Sequence, residues 1–249
     1  MSDTRGVVIT GGGTGIGRAT ATAFAETGAG VLIVGRTEKT LAAAAGDHPA
    51  IHPLTMDISA AEAPERIVAT ALELFGRIDV LVNNAAFIRP GKLGRLDRKE
   101  TEAQVAINLL APIHLTQEAL EPLTESRGVV INVSSSVAVG DRGWPDAGVY
   151  GAAKSGLDYL TRTWAVELAA RGIRVVGVAP GLVETGVHLR MGQTDEQHER
   201  FVDWLMPRIP LRRVAVAEEI SRWIVRLAHP DAAFVTGVVL PVDGGLSVS

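Results

Sequence analysis

The stretch from Val7 to Gly17 limits the possible folds more than any other part of the chain. Val7-Val8-Ile9 is a short β-branched run suited to a buried strand. It breaks at once into Thr10-Gly11-Gly12-Gly13-Thr14-Gly15-Ile16-Gly17, and the helix-compatible segment Arg18 to Glu26 follows. Strand, glycine-rich turn and helix in that order form an anion-binding arrangement. The glycines allow close backbone approach, and the free N–H groups at the helix start face a pyrophosphate. The spacing Thr10-Gly11-xxx-Gly15-Ile16-Gly17, in a first strand–helix turn, is more specific than a bare G-x-G-x-x-G.

Composition narrows the chemistry. The 249 residues are enough for one large α/β domain, expected to span 1–249. With 47% hydrophobic and 21% charged residues and a net charge of -4, the chain gives no electrostatic reason to expect nucleic acid. Small molecules are the expected partners. The absence of cysteine removes disulfides, thiolate metal sites and a cysteine nucleophile, and no metal site is expected. The N-terminal residues do not resemble a signal peptide, and no apolar run reaches the roughly 20 residues that span a bilayer. A cytoplasmic protein without membrane contact is expected.

A second strand, Val31-Leu32-Ile33-Val34, ends at Gly35-Arg36-Thr37. About 20 residues beyond the first glycines, dinucleotide folds carry an acid for a free ribose hydroxyl or an Arg for a 2′-phosphate. Gly35 stands where the acid would be, so Arg36 points to NADP, with Thr37 as a further phosphate donor. A solvated Arg at a helix start is the competing reading. A third strand near 50–54 leads to Met56-Asp57-Ile58, and a fourth, Ile78 to Val82, ends in Asn83-Asn84-Ala85-Ala86. Residues 101–121 read as one long helix interrupted by Pro112, which cannot bond back to the carbonyl of Asn108, so a kink is expected there. The fifth strand, Val129 to Val133, runs into Ser134-Ser135-Ser136. Tyr150 and Lys154 follow at a spacing of four, one turn apart on one helical face, which suits proton transfer. A sixth strand, Ile173 to Val178, leads to Pro180-Gly181-Leu182-Val183-Glu184-Thr185, and the chain closes with Val242-Asp243-Gly244-Gly245.

In order and placement these motifs resemble the short-chain dehydrogenase/reductase family: its TGxxxGxG turn, NNAG, serine strand end, YxxxK, PGxxxT and closing VDGG. Two departures are Ala86, where the family has Gly, and Val176, where it commonly has Asn. The resemblance implies a Rossmann-type doubly wound fold with a seven-stranded parallel sheet between helices, and a homotetramer or homodimer. It implies a catalytic set of Asn108, Ser135, Tyr150 and Lys154, with Ser136 an alternative to Ser135 because the following loop is long. The cofactor would be held by Gly11, Thr14, Gly15, Ile16, Gly17, Arg36, Thr37, Asp57, Ile58, Asn84, Ala85, Tyr150, Lys154, Pro180, Gly181, Val183 and Thr185. Asp57 and Ile58 would contact adenine, although Asp57 also suits the opening turn of the next helix.

The implied reaction is NADPH-dependent reduction of a ketone. Tyr150 gives the proton, Lys154 stabilises its phenolate, Ser135 holds the substrate oxygen, and the Asn108 carbonyl holds a water linked to Lys154. An NAD-dependent secondary-alcohol dehydrogenase is the alternative, and a cofactor-binding sensor without turnover is a reading from another class. Residues 186–213 suit a lid. Its Leu189, Met191, Phe201, Trp204, Leu205 and Met206 either pack it down or, with Trp144 and Phe87, meet a bulky hydrophobic, polyketide-like or acyl substrate. His188 and His198 carry no acid or nucleophile pattern and are given no catalytic role.

Overall fold

The computed structural model describes residues 4–140, 142–190, 192 and 194–249. Met191 lies outside them. Six parallel strands come first: β1 (Gly6–Thr10), β2 (Gly30–Gly35), β3 (Ile51–Thr55), β4 (Val80–Asn83), β5 (Val129–Val133) and β6 (Arg174–Pro180). Two-residue strands β7 (Val183–Glu184) and β8 (Ala215–Val216) pair with each other, and β9 (Val239–Val242) closes the main sheet. That sheet is parallel throughout and runs β3-β2-β1-β4-β5-β6-β9, the seven-stranded Rossmann-type order.

The strand sequences are near-continuous apolar runs because helices cover both faces of a parallel sheet. On one face, α1 (Gly15–Ala25), α2 (Glu38–Ala45) and α10 (Ala217–Ala228) enclose Val7, Ile9, Ile33 and Ile131. On the other, α3 (Ala63–Phe75), α5 (Ala111–Glu118) and α7 (Gly148–Glu167) enclose Val8, Leu32, Leu81 and Val130. Val176 lies in the first of these cores with no exposure, paired in register with Ile131. The methyl of Ala86 is exposed and its backbone is not left-handed, so this departure brings no strain.

The expected helix over 101–121 is instead four pieces: α4 (Arg98–Val105), a π-helical stretch over Ala106–Leu110, α5, and α6 (Leu120–Ser126). The Ala111 N–H reaches back five residues to the Ala106 carbonyl. Pro112 then occupies the first turn of α5, where a missing N–H costs little. The kink therefore takes the form of a change of helical register. Between α7 and α10 lie α8 (Val187–Arg190) and α9 (Asp195–Leu205), the latter opened by a capping box of Thr194 and Gln197.

A buried polar chain crosses the sheet. Asn83 donates to Thr116 Oγ1 at 3.1 Å and to Asn132 Oδ1 at 2.9 Å; Asn132 donates to Thr161 Oγ1 at 2.9 Å, which donates to the Leu157 carbonyl. It ties α5 to α7 through β4 and β5. Asn132→Ala removes one buried hydrogen bond each from the Asn83 amide and the Thr161 hydroxyl, which keep Thr116 and Leu157 as partners, at a cost of about 2–3 kcal/mol. Thermal denaturation should then show a melting temperature roughly 5–10 °C lower.

Candidate active site

The strands of a parallel sheet deliver their C-terminal ends to one edge, and ligands bind there at the point where strand order reverses. Here that point lies between β1 and β4. Thr10 Oγ1 accepts from the N–H groups of Asn84 and Ala85, both at 3.0 Å. In return the Asn84 amide donates to the Thr10 and Gly11 carbonyls at 2.8 and 3.3 Å. Asn84 therefore clamps the glycine turn from behind, a role its place in the sequence did not disclose.

The turn itself fits a pyrophosphate. Gly15 has φ +51°, and a Cβ there would lie 2.8 Å from the Thr185 side chain. Thr14 enters α1 with extended backbone and no side-chain cap, and the first turn of α1 carries no acidic residue. Its N–H groups are left for an anion. Gly11, Ile16 and Gly17 complete the same turn, and Ile16 packs into the core beneath it. A cleft of about 250 Å³ lined by Gly15, Arg18, Glu184, Thr185 and Val216 opens beside it.

The other positions expected to meet a cofactor fall along the same edge. Arg36 and Thr37 are exposed after β2, and Thr37 stands at the N-cap position of α2 with no side-chain cap. Asp57 and Ile58 follow the adjacent strand, β3. The Asp57 carboxylate accepts from the Ser59 N–H at 3.0 Å and the Ser59 hydroxyl at 2.7 Å, which is the turn-opening arrangement. Slight burial raises the Asp57 carboxyl, but the Ser59 hydrogen bonds and the nearby Arg36 outweigh it and hold the group below its ordinary range. Pro180 ends β6, Gly181 packs with no room for a Cβ against Asp243, and Val183 and Thr185 lie on and after β7.

The catalytic candidates come from β5, α7 and the π-helical stretch. Ser135 and Tyr150 are half-buried, and the Ser135 hydroxyl acts on the phenol. Ser136 is buried and begins the turn Ser136–Ala138. The Ser135 hydroxyl also accepts from the Val137 N–H at 3.3 Å. Lys154 is 1% exposed, donates to the Val133 carbonyl at 2.7 Å, and holds its Nζ 6.0 Å from the centre of the Tyr150 ring. Burial lowers Lys154 to about 8, against the pull of Asp158. Burial likewise raises the Tyr150 phenol above its ordinary value; Ser135 opposes this and Asp158 adds to it.

Asn108 is fully buried in the π-helical stretch. Its amide donates to the Phe87 carbonyl at 2.6 Å and the Gln104 carbonyl at 2.8 Å, and its oxygen accepts from the Phe87 N–H at 3.2 Å. The side chain thus fixes the segment after β4. Sequence reasoning missed Asp158, buried one turn beyond Lys154. Its signal was an acid four residues after a cation on a face shared with Leu157 and Thr161.

Over the strand ends, Leu205, Ile209 and Leu246 form a small core against Trp144 and Leu182. Leu205 packs inward, whereas Leu189, Phe201 and Trp204 are exposed and Met206 is half-buried. His188 and His198 stack with ring centres 4.0 Å apart. Among the described residues no group of three or more His, Asp or Glu side chains is placed to hold a metal, and no helix is long and apolar enough to cross a membrane.

Residues 11–247 match the family model described as Enoyl-(Acyl carrier protein) reductase. A Caenorhabditis elegans short-chain dehydrogenase/reductase of unknown function, solved with cofactor, superposes with a TM-score of 0.91 at 34% identity, covering 98% of this chain and 95% of that one. The chain belongs to the short-chain dehydrogenase/reductase family. A 3-oxoacyl-(acyl-carrier-protein) reductase FabG of Thermotoga maritima is 35% identical over 246 residues, 97% of each chain. The 3-ketoacyl-(acyl-carrier-protein) reductase of Brucella melitensis, solved with NADH, superposes with a TM-score of 0.89 at 31% identity, covering 98% of both chains. As a short-chain dehydrogenase/reductase the chain is an oxidoreductase acting on CH–OH and C=O groups.

Proposed function

We propose that this short-chain dehydrogenase/reductase reduces a ketone with NADPH, using Tyr150 as the proton donor. The observation that carries the reading is the meeting of Ser135, Tyr150 and the buried Lys154 at the strand edge that holds the glycine turn. A nicotinamide bound along that edge supplies the hydride. The chain's own residues do the rest. Gly11 to Gly17 and the start of α1 hold the pyrophosphate, while Pro180, Gly181, Val183 and Thr185 border the nicotinamide end. Ser135 donates to the substrate oxygen and so brings the carbonyl against the phenol. A phenol raised by burial is fully protonated at neutral pH, the state a donor in the reductive direction requires. Lys154 supports the charge left on the phenol after the proton has gone, and the Asn108 carbonyl holds a water through which it is replaced.

NADPH is favoured by Arg36 at the end of β2, exposed and without an acid at Gly35. A 2′-phosphate there would also meet the Asp57 carboxylate, which leaves Arg36 as its main cationic partner. Arg36→Ala should lower the ratio of kcat/KM for NADPH over NADH by about tenfold or more, as loss of a charge-assisted pair to phosphate requires. Steady-state assays with both cofactors check this, and an unchanged ratio removes the 2′-phosphate argument. The NADH in the Brucella melitensis neighbour favours an NAD-dependent alcohol dehydrogenase as the second reading, and the same comparison separates the two.

For the substrate we propose a bulky hydrophobic or acyl ketone, in keeping with the similarity to a 3-oxoacyl reductase. Residues 186–213 act as its lid, with Trp144, Leu182 and Leu205 at the base and Leu189, Phe201 and Trp204 still uncovered. The enzyme would work in the cytoplasm as a homotetramer or homodimer, which would cover the exposed Tyr159, Val166 and Phe234.

A further inference from the structure

Helix α7 carries more than the two groups used above. Tyr150, Lys154, Asp158 and Arg162 recur at intervals of four and so follow one another along one face, each a turn from the next. Lys154 and Asp158 are 1% and 5% exposed, whereas Arg162 reaches solvent. One carboxylate oxygen of Asp158 is buried without a hydrogen bond of full geometry, and the Ser134 hydroxyl beside it, just after β5, is the side-chain donor that acts on it. A buried acid so thinly compensated costs a fold stability. Asp158 also makes no ion pair with Lys154, whose hydrogen bond goes to Val133. Whatever it does to the lysine, it does through its field across one helical turn.

We propose that Asp158 is a positioning residue of the reaction, the buried counter-charge that keeps Lys154 an ammonium. The proposal rests on the reading of Tyr150 and Lys154 given above. The groups that face Asp158 are Tyr150, Lys154 and Arg162 from its own helix and Ser134 just after β5, while the adjoining π-helical stretch presents the apolar Leu109 against Gly156. Burial holds Asp158 up at about 6, against the pull of Ser134, Arg162 and Lys154. It is therefore an anion from about 6 upward, through the range in which Lys154, held down to about 8 by burial, would otherwise lose its proton. The same anion raises the Tyr150 phenol and keeps the donor loaded. Without it, Lys154 should give up its proton at lower pH, and the reaction should fail first on the alkaline side.

The chain suits a direct test because its lysines are Lys39, Lys92, Lys99 and Lys154, and the first three are exposed. Lysine labelled at the ε position, followed by NMR across pH, reports Lys154 apart from the others. In Asp158→Asn its midpoint should fall by about one pH unit or more, whereas Asp158→Glu, which keeps the charge, should stay near the wild type. With NADPH and whichever of acetoacetyl-CoA, ethyl acetoacetate or cyclohexanone the wild type turns over, the ratio of kcat at pH 8 to kcat at pH 6 should fall about fivefold or more in Asp158→Asn. An unmoved Lys154 midpoint in the folded Asn variant overturns the proposal. So does a shifted midpoint with an unchanged pH profile of kcat. The NMR arm needs no substrate, so failure of the reductase reading shows separately, as Tyr150→Phe turning over like the wild type.

Discussion

Tyr150→Phe lowers kcat for carbonyl reduction by about 10²- to 10⁴-fold, the usual contribution of a positioned general acid. The ring stays, so its packing near Lys154 is kept, and only the hydroxyl that meets Ser135 is removed. NADPH affinity should stay close to that of the wild type, because on the proposed reading the glycine turn, Arg36 and Thr185 would hold the cofactor by other groups. Stability should change little, since Ser135 keeps the Val137 N–H as a partner. Fluorescence titration of NADPH beside steady-state turnover separates the two effects. A fall in both affinity and turnover would place Tyr150 in binding rather than proton transfer.

Lys154→Met should cost about 10²-fold or more in kcat while leaving the protein folded, because the variant keeps a side chain of similar length and removes the charge and its hydrogen bond. The stability side has two opposing parts. Burial depresses the lysine from 10.5 to about 8. A base shifted in this sense contributes stability above its unfolded pKa and loses it as pH falls through the folded one, so at pH 7 the buried ammonium costs on the order of 3 kcal/mol. Met removes that cost but leaves the Val133 carbonyl without its 2.7 Å donor, worth roughly 1–3 kcal/mol. The melting temperature should therefore move by no more than a few degrees. Differential scanning calorimetry at pH 7, paired with kinetics, checks both halves. A collapse of the fold would make Lys154 a structural residue first.

The sequence made the frame of the molecule readable for a physical reason. A parallel sheet covered on both faces has to be written as apolar runs, and Val7 to Ile9, Val31 to Val34 and Val129 to Val133 are such runs. The glycine turn was readable because close packing against Thr185 at Gly15 leaves no room for a side chain. Tyr150, Lys154 and Arg36 stood out because chemistry needs those residue types at those strand and helix positions.

What stayed hidden depends on three-dimensional context. Pro112 announced a break near Asn108, but whether a kink or a π-helical register change would follow is settled by packing against α7 and by the Phe87 segment that the Asn108 amide holds. Asn83 read as part of a cofactor motif, yet it belongs to a polar chain with Asn132 and Thr161, whose members are far apart in sequence. Asp158 looked like an ordinary polar residue on an amphipathic helix. Only its burial beside Lys154, with an oxygen left unpaired, sets it apart.

The most direct test of the central claim follows one atom. NADPH carrying deuterium at the reactive ring carbon is incubated with the purified protein and, in turn, acetoacetyl-CoA, ethyl acetoacetate and cyclohexanone, and the alcohols are examined by NMR. Transfer of deuterium to the carbinol carbon of at least one of them by the wild type, together with its loss in a Tyr150→Phe variant that still binds NADPH, is the predicted result. Equal transfer by both proteins would contradict the role given to Tyr150.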